Sequence, residues 1–244
     1  MRSLKVISLL LDYPSEELLG IRQELIEEIS ADPALPDGQR EPLIKFVDQL
    51  CSMDLLDAQD NYVGLFDRGR SLSLLLFEHV HGESRDRGQA MVDLMAVYED
   101  NGFQLDAKEL PDYIPLFLEY LSKRPMEEVQ QWLTDVSHIL ALLETRLAQR
   151  NSIYAPLCTA LIEISGAVVE RKELVTKVAS ESADDTPEAL DKVWEEEMVR
   201  FTEPTTQDCG NDAVTQRRRE LEQVQPLYIS DAVKQFTPAG PSGS

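Results

Sequence analysis

The sequence predicts an all-α protein, a single-domain bundle of about eight to ten helices. Nearly every segment spaces its apolar residues three and four positions apart, and no stretch alternates in the two-residue rhythm of a strand. Hydrophobic residues make up 43% of the chain, which is enough for a substantial core. We expect the helical domain to occupy residues 1–200. Residues 201–244 should form a polar, largely flexible tail, because they hold too little apolar surface to offset the entropy of ordering.

The N-terminal third of the chain predicts four helices. A short apolar helix ends before Pro14, and Ser15 is placed to cap a second helix. Two more helices follow over residues 43–50 and 54–66, each with apolar residues one turn apart. The second helix should bury one continuous apolar stripe, which is formed by Leu18, Leu25 and Ile29.

The middle of the chain carries two near-copies of one polar phrase. Asp-Arg-Gly occurs at residues 67–69 and again at 86–88, with an apolar segment at residues 71–80 between them. Ser84 is placed to cap the next helix, which should stop at Asn101 because Asn-Gly is a strong stop signal. The residues that we expect on the inner face of that helix are Met91, Leu94, Met95 and Tyr98.

The remaining helices are predicted from proline positions and apolar spacing. Asp112 is placed to cap a helix that has Pro115 in its first turn, where a missing N–H costs no hydrogen bond. One long helical pattern covers residues 125–150, and another runs over residues 152–171. A last helix is predicted over residues 186–199.

Charge and cysteine content limit the possible partners. The chain has 45 acidic and 23 basic residues, so it would repel nucleic-acid phosphates and anionic lipid headgroups. No run approaches the roughly 18 apolar residues of a membrane span, and the apolar start of the chain lacks a cleavage site. Three widely spaced cysteines match no zinc or redox pattern. We expect a cytoplasmic protein with no nucleic-acid partner and no direct membrane insertion.

The sequence predicts neither a metal site nor a catalytic site. His79 and His81 lie beside Glu78 and Glu83, but helical positions two apart point to different faces, so the two imidazoles would not chelate together. A histidine pair that is structural or contacts a partner is the favoured interpretation. No nucleophile elbow and no phosphate-binding glycine-rich loop is present. We therefore expect a protein that is not an enzyme and carries no cofactor.

Two features of the middle segment have more than one interpretation. Asp67 and Asp86 can pair with neighbouring arginines and fix the turns, or the arginines can line a groove that contacts a partner. The methionines and aromatics at helical spacing can line a groove, although side chains at this spacing are more often core residues. A hydrophobic segment with a charged rim would suit recognition of another protein.

Longer motifs resemble those of a known family. The motifs are Phe66-Asp67-Arg68-Gly69-Arg70, Phe77-Glu78-His79-Val80-His81-Gly82-Glu83, Glu109-Leu110-Pro111-Asp112-Tyr113 and Asp184-Asp185-Thr186-Pro187. They resemble the signature of NarJ-type chaperones, the delta proteins of respiratory nitrate reductase assembly, and the resemblance spans residues 4–230. Wider relatives carry a Glu-Pro-x-Asp-His-like motif near their peptide-binding face, and Tyr113 stands here where they have histidine.

The resemblance implies a dedicated chaperone without an activity of its own. Such a protein binds the apo form of the catalytic alpha subunit of respiratory nitrate reductase, partly through the N-terminal segment of that subunit. It holds the subunit for molybdenum cofactor and iron–sulfur insertion before membrane docking, and is not part of the final enzyme. Molybdenum cofactor delivery proteins are further possible partners.

We expect the client to bind as an amphipathic helix in a groove. Residues 72–80, the helix over residues 84–100 and the helix over residues 113–121 would line this groove, and the negative field of the chain would steer basic client residues. The candidate client-binding residues are Arg68, Arg70, Phe77, Glu78, His79, His81, Arg85, Asp86, Arg87, Met91, Asp112, Tyr113, Phe117 and Tyr120. The alternative is a general helical adaptor or regulatory module that uses the same groove.

Overall fold

Helices form almost all of the regular structure. A computed structural model describes residues 1–81, 85–105 and 109–182, together with 184, 186, 188, 189 and 191. Within that part of the chain the helices are α1 Arg2–Leu10, α2 Glu16–Gly20, α3 Arg22–Ala31, α4 Asp37–Cys51, α5 Leu55–Phe66, α6 Leu76–His81, α7 Arg85–Asp100, α8 Ile114–Ser122, α9 Met126–Asp135, α10 Ser137–Gln149, α11 Ala155–Ser165 and α12 Arg171–Ala179. The predicted all-α class is confirmed. The predicted tail over residues 201–244, the Ser84 cap and most of the helix predicted over residues 186–199 lie outside the described residues.

Two of the predicted helix starts are observed as side-chain caps. Ser15 Oγ accepts a hydrogen bond from Leu18 N at 3.2 Å at the start of α2, and Asp54 Oδ1 accepts one from Leu56 N at 3.0 Å at the start of α5. The predicted second helix is in fact two helices, because the backbone of Ile21 (φ −100°, ψ 28°) departs from helical geometry after Gly20. Its apolar stripe is nevertheless buried as predicted.

The helix predicted over residues 125–150 is also two helices, α9 and α10. They separate at Val136, where φ is −96° and ψ is 4°. Leu133, Val136 and Leu140 remain buried on one side across this break, so the apolar period does not reveal it. The next helix ends at Ser165 and not near residue 171, because Gly166 adopts a left-handed conformation (φ 72°) that stops it.

Helix α12 was not predicted. Only Val178 is buried among its residues, so it carries no apolar stripe that a periodicity could detect. The apolar segment predicted over residues 71–80 is helical only from Leu76, and residues 71–75 form a loop with a single antiparallel bridge, between Leu75 and Tyr113.

The core is one continuous hydrophobic cluster. α10 packs along α11, and α1 packs along α8. Tyr154 is fully buried, with its ring centroid 5.0 Å from that of Phe46 and 5.1 Å from that of Phe66. Ser8 Oγ in α1 donates a hydrogen bond to Pro115 O at 2.6 Å, which anchors the first turn of α8. α8 is therefore fixed to the core where its N-terminal end meets the segment before α6.

Candidate interaction surface

Two of the motif stretches are hydrogen-bonded to each other. Leu76 N donates to Asp112 O at 3.0 Å, and Ile114 N donates to Leu74 O at 2.8 Å. These bonds flank the Leu75–Tyr113 bridge, so the apolar segment before α6 lies against the residues that start α8. Stretches that are distant in the sequence thus lie in direct contact, and most of the side chains at this contact are buried.

Asp112 caps α6 and not α8. Its side chain is fully buried, and its Oδ2 accepts a hydrogen bond from Phe77 N at 3.0 Å in the first turn of α6. The residue before α8 is Tyr113, which makes no side-chain cap, so the predicted role of Asp112 was wrong. The reason is Pro115 at the second position of α8, because it has no N–H for a preceding carboxylate to accept from.

Glu78, Arg87 and Asp112 form a polar cluster that joins α6, α7 and the start of α8. Arg87 Nη1 lies 3.4 Å from Glu78 Oε1, and both side chains are largely covered. Burial raises the pKa of Asp112, although the Phe77 N–H and the Arg87 guanidinium oppose the rise. Among the described residues, neither Asp112 Oδ1 nor Arg87 Nε has a hydrogen-bond partner. These three side chains therefore place a largely covered charge cluster where α6, α7 and the residues before α8 meet.

The histidines do not form a metal site in the described structure. His79 Nε2 lies 2.8 Å from Ser73 O, and burial lowers the pKa of His79, so the neutral ring donates this hydrogen bond. The side chain of His81 lies outside the described residues. No group of three or more histidine, cysteine, aspartate or glutamate side chains within the described ranges could hold a metal ion.

The structure does not bring the predicted arginines to one place. Arg68 and Arg70 are exposed in the loop after α5, where Arg68 Nη2 lies 3.8 Å from Asp60 Oδ1. Arg87 turns inward to Glu78, while Asp86 beside it is exposed. The side chain of Arg85 is outside the described residues. Among the arginines whose side chains are described, Arg68 and Arg70 are thus exposed, whereas Arg87 is largely covered within the polar cluster.

The predicted aromatic groove residues lie in the core. Phe77, Phe117 and Tyr120 are each 2% exposed. The Tyr120 ring packs 4.6 Å from that of Tyr98, and the Phe117 ring packs 5.9 Å from that of Trp132. A partner would reach these side chains only if α6, α7 and α8 moved apart.

Tyr113 is half-buried and belongs to a different hydrogen-bonded group. Its hydroxyl donates to Asp12 Oδ1 at 3.1 Å and lies 3.1 Å from the hydroxyl of Tyr62. Burial, followed by the neighbouring Tyr62 and Asp12, raises the pKa of Tyr113 far above the usual tyrosine range. The Tyr113 phenol is therefore neutral and joins α5 to the loop after α1.

The outer face of α7 is apolar, which the sequence reasoning missed. Leu94 and Tyr98 are buried as predicted, but Met95 is 39% exposed, so its assignment to the inner face was wrong. Val92 beside it is 58% exposed, and Ala96 is also exposed. Met91 is half-buried between the two faces. The signal was available, because residues 92, 95 and 96 form a second stripe at helical spacing.

Leu110 is a further exposed apolar residue, in the stretch that precedes α8. Its side chain is 44% exposed, and the following residue, Pro111, accepts a hydrogen bond from Tyr98 Oη at 2.9 Å. The hydroxyl of a buried α7 residue thus holds the residues before α8 against that helix. We refer to Val92, Met95, Ala96 and Leu110 as the outer apolar surface.

Comparison with known proteins identifies the family. The family model described as nitrate reductase delta subunit matches residues 32–160. The chain is 49% identical over 231 residues to the nitrate reductase molybdenum cofactor assembly chaperone NarJ of Escherichia coli K12, covering 94% of this chain and 97% of the relative. The chain belongs to the nitrate reductase delta subunit family. It is also 46% identical to the probable chaperone NarW of the same organism, over 94% of this chain and 96% of NarW.

The delta-family assignment extends to a more distant relative. The probable nitrate reductase molybdenum cofactor assembly chaperone NarJ of Bacillus subtilis is 33% identical over 159 residues, which cover 64% of this chain and 84% of the relative. The family predicted from the motifs is therefore confirmed, and it is a family of assembly chaperones, not of catalytic enzymes. No helix in the described part of this delta-family chain is long and apolar enough to cross a membrane.

Proposed function

We propose that this chain is a system-specific chaperone for the catalytic alpha subunit of respiratory nitrate reductase. It binds the apo form of that subunit, partly through the N-terminal segment, and holds it for molybdenum cofactor and iron–sulfur insertion before membrane docking. The observation that carries this proposal is the 49% identity to a chaperone so named, over nearly the full length of both chains. Molybdenum cofactor delivery proteins would be its further partners.

The outer apolar surface is the part of this chain best suited to the first contact with a client. Val92 and Met95 present exposed apolar side chains one turn apart on α7, which matches the spacing of anchors on an amphipathic helix. Glu99 and Asp100 are exposed at the end of the same helix. A client helix with an apolar stripe and basic flanking residues would therefore fit both the shape and the charge of this face.

Binding at this surface would itself act as the checkpoint. The client segment cannot engage its membrane anchor while its apolar stripe is covered by the chaperone. Arg68, Arg70 and Asp86 remain candidate rim contacts because their side chains are exposed. Phe77, Phe117 and Tyr120 would take part only in a second stage, after the helices that bury them have separated.

Calorimetry with a synthetic peptide of the alpha-subunit N-terminal segment tests the surface. Val92→Asp places a charge in the proposed contact and should weaken binding at least about tenfold. Val175→Asp is the matched control, since Val175 on α12 is 56% exposed and Val92 is 58% exposed. Equal affinities for the two variants would place the client elsewhere on the chain.

A pull-down from nitrate-respiring cells tests the identity of the client. The chaperone function predicts one large molybdoenzyme subunit as the dominant co-purifying protein. A spread of unrelated partners would instead favour the general adaptor. The Val92→Asp variant should recover less of that subunit than the Val175→Asp variant.

A further inference from the structure

The segment after α12 is bonded to the loop that follows α5. Asp184 Oδ2 accepts a hydrogen bond from Ser71 N at 2.7 Å, and Asp184 Oδ1 accepts bonds from Ser71 Oγ at 2.8 Å and Arg150 Nη2 at 3.1 Å. Burial raises the pKa of Asp184, but these bonds outweigh it and hold the pKa below its ordinary value. One carboxylate thus receives three donors from two distant parts of the chain.

A second ion pair supports the same contact. Arg146 donates to both carboxylate oxygens of Glu181, each at 2.8 Å, in a bidentate arrangement. A third Arg146 nitrogen, Nη1, donates to Ser71 O at 2.6 Å. Every polar group of Ser71 is therefore engaged. The residues of this contact, which we call the C-terminal clasp, are Ser71, Arg146, Arg150, Glu181 and Asp184.

Gly69 makes room for the clasp. A Cβ atom at this position would lie 2.7 to 2.8 Å from the carboxylate atoms of Asp184, closer than real contacts allow. The carboxylate has little freedom to move aside, because Ser71 and Arg150 hold it. At Gly88, in the second Asp-Arg-Gly phrase, a Cβ would meet nothing within 4 Å. The two glycines therefore differ in role: within the described residues a carboxylate lies against Gly69, and no heavy atom lies within 4 Å of a Cβ at Gly88.

Ser71 of the clasp immediately precedes residues 72–77, a mostly buried segment that packs among the helices, and we call its place in the core the seam. Leu72 is fully buried, Leu74 is 6% exposed, and Leu76 and Phe77 are each 2% exposed. Farther along, the segment is held by the bonds to Asp112 and Ile114 described above. Loss of the clasp would free the N-terminal end of this segment. A partner could reach the buried aromatic side chains only after the segment has moved.

We propose that the C-terminal clasp is an autoinhibitory contact that keeps residues 72–77 in the seam until a client displaces them. This inference rests on the proposed function. The clasp consists of polar contacts at the edge of the core and buries no large apolar side chain of its own, and both carboxylates keep about 30% of their surface exposed, so water can replace these contacts when the clasp opens. If a client binds only the open state, its apparent affinity is lowered in proportion to the fraction of molecules that are closed. Variants that weaken the clasp raise the open fraction and therefore raise the apparent affinity.

Two measurements on the full-length chain test the clasp. In Asp184→Asn, hydrogen exchange of the amides of residues 71–77 should accelerate at least about fivefold, and the affinity for the alpha-subunit N-terminal peptide should rise about five- to tenfold. Gly69→Ala should act in the same direction by displacing the carboxylate, which provides a second variant if the first folds poorly. Asp57→Asn is the control, because it removes an exposed carboxylate on α5 and should change neither quantity.

The possible outcomes separate this inference from the proposed function. A wild-type chain that does not bind the peptide overturns the proposed function, and the clasp inference with it. A wild-type chain that binds, with clasp variants that bind no tighter, overturns the clasp inference alone. Faster exchange without tighter binding would reduce the clasp to a structural contact, and unchanged exchange would show that it does not hold the segment.

Discussion

At the scale of single residues, Asp112 is the side chain whose role in stability is set most by contacts with other parts of the chain. It is fully buried, caps α6 from another part of the chain and leaves one oxygen unsatisfied. Its neighbour Arg87 supplies a partly covered positive charge. Removal of the carboxylate therefore leaves the buried Phe77 N–H without its acceptor, while Arg87 keeps its contact with Glu78.

Asp112→Ala should lower the free energy of unfolding by about 2 to 3 kcal/mol. The buried Phe77 N–H would lose its acceptor, and α6 would lose its cap. Asp112→Asn should cost less, because an amide oxygen can still accept from Phe77 N. Urea denaturation measures both variants, with Asp86→Ala at an exposed site as the control. A cost for Asp112→Ala no larger than that of the control would contradict the trans-capping role.

Asp32 gives a pH-dependent prediction. Its Oδ2 accepts bonds from Ser3 N and Ser3 Oγ, both at 2.8 Å, at the start of α1, and its Oδ1 accepts one from Ala34 N. Burial raises its pKa, but these bonds and the N-terminal ammonium hold the pKa below the ordinary 3.8. A lowered pKa in the folded state contributes stability above pH 3.8, and this contribution disappears as the pH falls through the folded-state value.

The Asp32→Asn variant should therefore be less stable than the wild type at pH 7, by about 1 to 3 kcal/mol. The difference should begin to shrink as the pH falls below 3.8, where the unfolded chain protonates, and should be lost as the pH passes the lower pKa of the folded wild-type carboxyl. Thermal unfolding of both proteins across the acid range measures this. A difference that stays constant or grows in acid would contradict the assignment.

At the scale of elements, α7 carries two apolar stripes with different roles. Leu94 and Tyr98 pack inward, while Val92 and Met95 face outward. The stability of the fold should depend on the inner stripe, and client binding should depend on the outer stripe.

Leu94→Ala should cost about 2 to 5 kcal/mol of unfolding free energy, because it leaves a cavity beneath α7. Val92→Ala should stay within about 0.5 kcal/mol, because its side chain is 58% exposed. Chemical denaturation of the two variants compares them directly. Similar losses of unfolding free energy for the two variants would mean that other residues pack against the outer stripe and cover it.

Apolar period and capping residues predicted most elements because each depends on local sequence. Ser15 and Asp54 act as caps, and Leu18 and Ile29 are buried as expected. The break at Val136 escaped prediction because the buried stripe continues through it in register. The missed breaks at Ile21 and Val136 and the early stop at Gly166 all concern where a helix ends, which a few backbone angles decide.

The candidate site was harder to predict because its contacts join distant segments. Asp112 caps a helix 35 residues earlier in the chain, and Asp184 bonds to Ser71 across 113 residues. The buried position of Phe117 could not be separated from a groove position, because both give the same spacing on α8. Local patterns identify such residues but not the partners that fix their roles.

At the scale of the whole molecule, the net charge of −22 and the clasp respond to salt in opposite directions. Raising NaCl from 0.1 to 1 M shortens the Debye length from about 10 to about 3 Å. Screening relieves the self-repulsion of an acidic chain and should raise its melting temperature. The same screening weakens the partly exposed clasp ion pairs, so hydrogen exchange of residues 71–77 should accelerate. If hydrogen exchange of residues 71–77 instead slows at high salt as the melting temperature rises, the predicted weakening of the clasp by salt is wrong.

In the function proposed above, α7 and the residues around it receive an immature client. Hydrogen exchange of the full chain with and without the N-terminal peptide of the apo alpha subunit tests it most directly. The claim predicts that protection on binding centres on α7 and residues 109–121, while α10 and α11 keep the exchange rates of the free protein. Protection confined to α9–α12, or no change anywhere at saturating peptide, would contradict it.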